Sequence, residues 1–130
     1  MQNSKTFIKT AIGYIRSYKK ERLNTLSTEE QEKLITEFAE KRGYRILKIF
    51  KEENISGSSF ERPAFKMMLE YIKQNKYKVK FLLVADSQRL SNNASDFMRF
   101  KWFLRKQLIT LISVVKTLVR DAEKQAKQHP

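Results

Sequence analysis

Three arginines in distant segments are of the residue type that phosphate chemistry uses. Arg16 closes the run Ile12-Gly13-Tyr14-Ile15, Arg62 ends a polar loop just before Pro63, and Arg89 lies in Asp86-Ser87-Gln88-Arg89-Leu90-Ser91. Arginine presents a planar fork of donors matched to phosphate oxygens and stays charged at any working pH. Converging on one edge, three of them would hold a phosphodiester and stabilise the charge of a phosphoryl transition state. The alternative is that each pairs with a local carboxylate, Arg62 with Glu61 or Glu52 for instance. Candidate nucleophiles are hydroxyls: Ser17, Tyr18, Ser27 and Ser56. Ser27 reads better as a helix cap and Ser56 as a turn former. His129 is the only histidine and there is no cysteine. That excludes histidine triads, thiolate nucleophiles and multi-histidine metal sites, so no metal and no cofactor is expected.

The elements that must position these groups are legible in the periodicity. Residues 10–16 read as a strand with Ile12, Tyr14 and Arg16 on one face. Ser27-Thr28-Glu29-Glu30 matches a capping box, opening a helix with Leu34, Ile35, Phe38 and Ala39 at helical spacing that stops near Gly43. Residues 44–50 form a second strand and 51–61 a loop. Pro63 suits the first turn of a second helix, which buries Phe65, Met68, Leu69 and Ile72. The near-continuous apolar run 79–85 marks a central strand covered on both faces. A third helix over 95–107 carries Phe97, Phe100, Trp102, Phe103 and Leu104, interleaved with Arg99, Lys101, Arg105 and Lys106. Its apolar residues spread over more than one face, predicting core packing plus a partly exposed contact surface. Residues 108–115 read as a fourth strand and 116–127 as a polar helix.

Strands alternating with helices predict a single α/β domain. Its sheet would be mostly parallel, with four or five strands joined by right-handed crossovers and helices on both faces. In such sheets functional groups gather at the carboxyl ends of the strands, which is where residues 16–18, the Ser56 loop and residues 86–93 all fall. The expected organisation is an extension over 1–9, the domain over 10–115 and a polar tail over 116–130.

Taken in order, Tyr14-Ile15-Arg16, then Gln31, then Ser56-Gly57 leading to Arg62-Pro63, then Gln88-Arg89-Leu90-Ser91-Asn92 resemble the catalytic domain of a serine recombinase of the resolvase/invertase family. The resemblance covers roughly residues 10–115. It implies a strand reading Tyr-x-Arg-x-Ser, whose serine attacks a DNA phosphate to form a phosphoserine link, and an Asp-Arg-Leu-Ser-Arg motif near that phosphate. Arg16, Gln31, Arg62, Arg89 and Ser91 match. Tyr18 stands at the nucleophile position, Gln88 at the aspartate and Asn92 at the second arginine. The resemblance therefore implies a recombinase-like domain that keeps part of a phosphate cradle and is deficient in strand cleavage. Two alternatives stay open. Ser17 could act as nucleophile if a bulge turned it towards the phosphate. The chain could also be an inactive subunit that regulates a full-length recombinase. Tyr18 could form a phosphotyrosine, but its oxygen would sit several ångströms from a serine hydroxyl's place, and catalysis tolerates even about 1 Å poorly. The family's long dimerising helix after the fourth strand would need more apolar residues than Leu118 and Val119 in 116–130, so the chain is expected to be a fragment or a shortened form.

Composition points the same way. At 130 residues the chain makes one domain with a proper core, and 41% hydrophobic with 12% aromatic residues argues for a folded body. Twenty-seven Lys and Arg against 14 Asp and Glu give a formal charge of +13. That excess favours a polyanion by counterion release, and DNA is the expected partner, with Arg16, Arg62, Arg89, Lys19 and Lys20 on its phosphates. A homo-oligomer, or a hetero-oligomer with another recombinase, is expected as well. No apolar run approaches the roughly 20 residues of a membrane helix and no secretory signal is present, so a cytoplasmic location without membrane contact is expected.

Overall fold

Right-handed crossovers dictate the layering. Among the described residues four strands, β1 (Lys9–Arg16), β2 (Tyr44–Glu52), β3 (Phe81–Val84) and β4 (Thr110–Ser113), alternate with four helices, α1 (Thr28–Arg42), α2 (Pro63–Gln74), α3 (Ala94–Lys106) and α4 (Val114–Gln128). The computed structural model describes residues 8–17, 26–52, 62–91 and 93–128. All strand pairs are parallel and the order is β2-β1-β3-β4. From β1 the chain steps outward to β2, then returns across β1 to β3 and continues to β4. Reversing the direction of travel at constant handedness moves the connecting helix to the other face. The expected single-domain α/β architecture is what forms, with four strands.

Alternate residues of each strand feed two cores. On one face Ile12, Tyr14, Leu82 and Val84 pack with Met68 and Ile72 of α2 and with Phe100 and Leu104 of α3. On the other Ala11, Ile15 and Leu83 pack with Ile35, Phe38 and Ala39 of α1 and with Val114 of α4. β1 and β3 occupy the centre. β2 is an edge strand whose register with β1 slips between Ala11 and Ile12, leaving Leu47 as the extra residue. Arg45, Lys48 and Lys51 are exposed along it, and such charges discourage edge-to-edge pairing.

Local chemistry sets the element ends. The Ser27 hydroxyl accepts from the Glu30 amide at 3.1 Å, and the Glu30 carboxylate accepts from the Ser27 amide at 2.8 Å. The Ser27 amide and then its hydroxyl hold the Glu30 carboxyl below its ordinary pKa. Gly43 closes α1 in the left-handed region at φ 77°, a conformation glycine takes without steric cost. Pro63 sits in the first turn of α2.

The last strand is shorter than its apolar run suggests. Leu108 lies in the left-handed region at φ 59° and terminates α3, with the Ile109 amide reaching back to the Leu104 carbonyl at 2.9 Å. Pairing with β3 spans only Thr110–Ser113, so Val114 and Val115 open α4 instead of ending β4. In α3, Phe100 and Leu104 are buried while Met98 and Trp102 are about 60% exposed, dividing the helix between core and open surface. Among the described residues no helix is long and apolar enough to cross a membrane.

Candidate functional site

The strand order reverses between β1 and β3, and a crevice at the carboxyl ends of two such strands is where parallel sheets place their ligands. β1 delivers Arg16 to that point. β3 runs into Asp86, whose carboxylate accepts the Gln88 amide at 3.0 Å and caps a short 3-10 turn, Ser87–Arg89. The two arginines then clamp each other's backbone. Arg16 Nε donates to the Arg89 carbonyl at 2.9 Å and its Nη2 to the Gln88 carbonyl. In return Arg89 Nη1 donates to the Arg16 carbonyl at 3.0 Å, while its Nε reaches Asp86 Oδ2 at 3.3 Å. Gln31 joins from α1, its amide donating to the same Arg16 carbonyl at 3.0 Å and to the Leu26 carbonyl at 3.2 Å.

Arg16 is 3% exposed, Arg89 7% and Gln31 fully buried. Buried donors must be satisfied, and here backbone carbonyls do much of it. Arg16, Gln31 and Arg89 meet here, and their contacts fasten β1, α1 and the 3-10 turn together. Arg89 also forms a local ion pair with Asp86.

Arg62 comes in from the start of α2 by another route. Its Nη2 and Nε donate to the Tyr14 hydroxyl at 2.8 and 3.2 Å, and its guanidinium lies 4.3 Å over the Phe65 ring. Tyr14 donates onward to Glu52 Oε2 at 2.9 Å. Glu52, at the end of β2, accepts the amides of Ala64 and Phe65 at 2.9 Å each. A carboxylate there satisfies first-turn donors and complements the helix dipole. The pairing of Arg62 with Glu52 is thus bridged through Tyr14, and Glu61 lies outside the described residues. Burial pushes the Tyr14 hydroxyl well above its ordinary pKa; the Arg62 charge and hydrogen bond oppose this, and Glu52 adds to it. Sequence reading misses Tyr14 and Glu52 as a positioning pair, although Tyr14 shares a strand face with Arg16.

The hydroxyls divide differently. Ser17, just past β1, pairs its Oγ with Thr28 Oγ1 at 2.6 Å, on the α1 side, and its amide donates to the Glu52 carbonyl at 3.0 Å. Ser91 Oγ accepts the Asn93 amide at 3.0 Å. Gln88 is exposed. Tyr18, Lys19, Lys20, Ser56, Gly57 and Asn92 lie outside the described residues.

A family model described as the resolvase N-terminal domain matches residues 11–129. The chain belongs to the resolvase N-terminal domain family. Solved structures agree on its fold. The N-terminal catalytic domain of TP901-1 integrase superposes with a TM-score of 0.72 at 22% identity, over 94% of this chain and 100% of that one. The C-terminal catalytic domain of ISC1926 TnpA, an IS607-like serine recombinase, gives 0.68 at 19% identity, over 87% and 77%. A resolvase-family site-specific recombinase from Streptococcus pneumoniae gives 0.69 at 25% identity, over 92% and 90%. The first two likenesses carry the fold alone. No curated protein matches the sequence significantly. Within this resolvase-type domain, Arg16, Gln31, Arg62 and Arg89 are joined through the ends of β1, β2 and β3.

Proposed function

We propose that this resolvase-family domain binds DNA phosphates in a recombination or integration setting and is deficient in strand cleavage. The observation that carries the reading is the arginine cluster at the switch point combined with substitution at three motif positions, Tyr18, Gln88 and Asn92. Arg62 is half-buried, whereas Arg16 and Arg89 are buried and bonded to backbone carbonyls, so they add positive potential behind it. Ser17 is a poor substitute nucleophile, because its hydroxyl is engaged by Thr28. The proposed direct phosphate contacts are Arg62, Lys19 and Lys20, with Arg16 and Arg89 acting on the phosphate through their charge.

The test is incubation of the protein with supercoiled plasmid carrying its native site, followed by a search for protein-linked ends. Binding without adducts is expected. An adduct that disappears in Ser17→Ala and survives Tyr18→Phe would establish an active recombinase instead.

A second reading is an inactive subunit that joins another recombinase. It is favoured by one observation, the exposed row Val115, Leu118 and Val119 at helical spacing on α4. Co-purification with an active homologue, together with no DNA binding at low salt, would select it.

A further inference from the structure

Between α2 and α3, beside Arg62, lies a cavity of about 400 Å³. Its size falls within the roughly 300–1,000 Å³ of pockets that hold small organic ligands. Phe65 and Leu69 of α2 and Phe100 and Phe103 of α3 supply an aromatic and aliphatic wall. The Phe65 and Phe100 rings tilt against each other at 5.1 Å between centroids. The described residues of the lining also include three cations, Arg62, Lys73 and Arg99, and one acid, Asp96. Lys73 and Arg99 are exposed. Arg62 uses Nε and Nη2 on Tyr14 and the Arg89 carbonyl, leaving Nη1 without a hydrogen bond among the described residues.

An apolar, ring-lined cavity with a cationic margin fits a ligand with a flat aromatic body and an anionic group. We propose that it takes an unpaired nucleotide, the base against the phenylalanines and the phosphate on Arg62 and Arg99. The choice of a nucleotide over other aromatic anions rests on the nucleic-acid reading above, because Arg62 belongs to both the cavity and the phosphate-binding cluster. Stacking on aromatic side chains plus phosphate neutralisation is the general means of holding unpaired strands. Paired bases in a duplex have no free face to offer such a wall.

The experiment is amide NMR of the full chain titrated separately with thymidine monophosphate, thymidine, inorganic phosphate and a short thymidine oligonucleotide. Thymidine monophosphate should move the signals of Arg62, Leu69, Arg99 and Phe103 at lower concentration than thymidine or phosphate alone. Arg99→Ala, a change at an exposed position, should weaken it about tenfold. Leu69→Trp, which fills the cavity, should abolish these shifts, with circular dichroism verifying that it folds. If the oligonucleotide moves the same signals, a strand is the source; if only the monophosphate does, a free nucleotide is, and either result supports the site. Shifts scattered over other surfaces, or unchanged affinity in Arg99→Ala, would overturn it. A parallel titration with duplex at low salt separates the two ideas. Its failure removes the proposed function and leaves the cavity result standing or falling by its own signals.

Discussion

Tyr14 shows how one hydroxyl couples three elements. It accepts from Arg62, donates to Glu52, and through Glu52 reaches the first amides of α2. Tyr14→Phe should cost about 1–2 kcal/mol at neutral pH, read from urea unfolding, because Arg62 loses its acceptor. The same residue predicts a pH effect. Its folded pKa is raised above the unfolded value of about 10. Its contribution is therefore complete below about pH 10 and declines above it, as the unfolded chain ionises while the folded one keeps its proton. Wild type should lose up to about 1.4 kcal/mol per pH unit relative to Tyr14→Phe in that range; parallel curves for the two proteins would refute the assignment. Arg89→Lys tests the clamp. A lysine cannot fork between Asp86 and the Arg16 carbonyl, so a loss of about 1–3 kcal/mol is expected in the same unfolding assay. The residue types at these positions are legible in the sequence, since arginines after strands advertise themselves. Their hydrogen-bond partners are not.

At the scale of elements, punctuation in the chain is a dependable guide. The Ser27 capping box, Gly43 and Pro63 each act within one turn of a helix, so local sequence suffices to read them. Ser27→Ala should cost about 1 kcal/mol, visible as a lower thermal midpoint. The exit from α3 escapes the same kind of reading, because Leu108 takes a left-handed conformation that favours glycine. Leu108→Gly should relieve that strain and stabilise the domain by about 0.5–1 kcal/mol net of glycine's entropy cost. A thermal midpoint below wild type would mean that the exposed leucine makes an interaction worth more than the strain. The boundary between β4 and α4 is equally hidden, because Val114 and Val115 suit a strand by propensity and a helix by position.

At the scale of the whole molecule, the charge of +13 and the reversal of strand order act together. Binding to duplex DNA should be insensitive to sequence, because the proposed contacts go to phosphates, which position a protein without specifying sequence. Its logarithmic salt dependence should have a slope of about −0.9 for each phosphate neutralised. Replacing Lys19 and Lys20 with Ala should make that slope shallower by about 0.9 for every phosphate these lysines neutralise; an unchanged slope would move the binding surface elsewhere. The amino-acid sequence by itself determined the α/β class, the succession of elements and the strand ends that carry the arginines. Periodicity, caps and turn residues act over a few positions, so those features are written locally. Only the tertiary structure decided what the arginines hold. Arg16 reaches carbonyls 73 and 72 residues away, and Arg62 reaches a hydroxyl 48 residues away. Such partners are set by which strands lie side by side, and no local pattern of residues encodes a neighbour that the sheet order alone brings within reach.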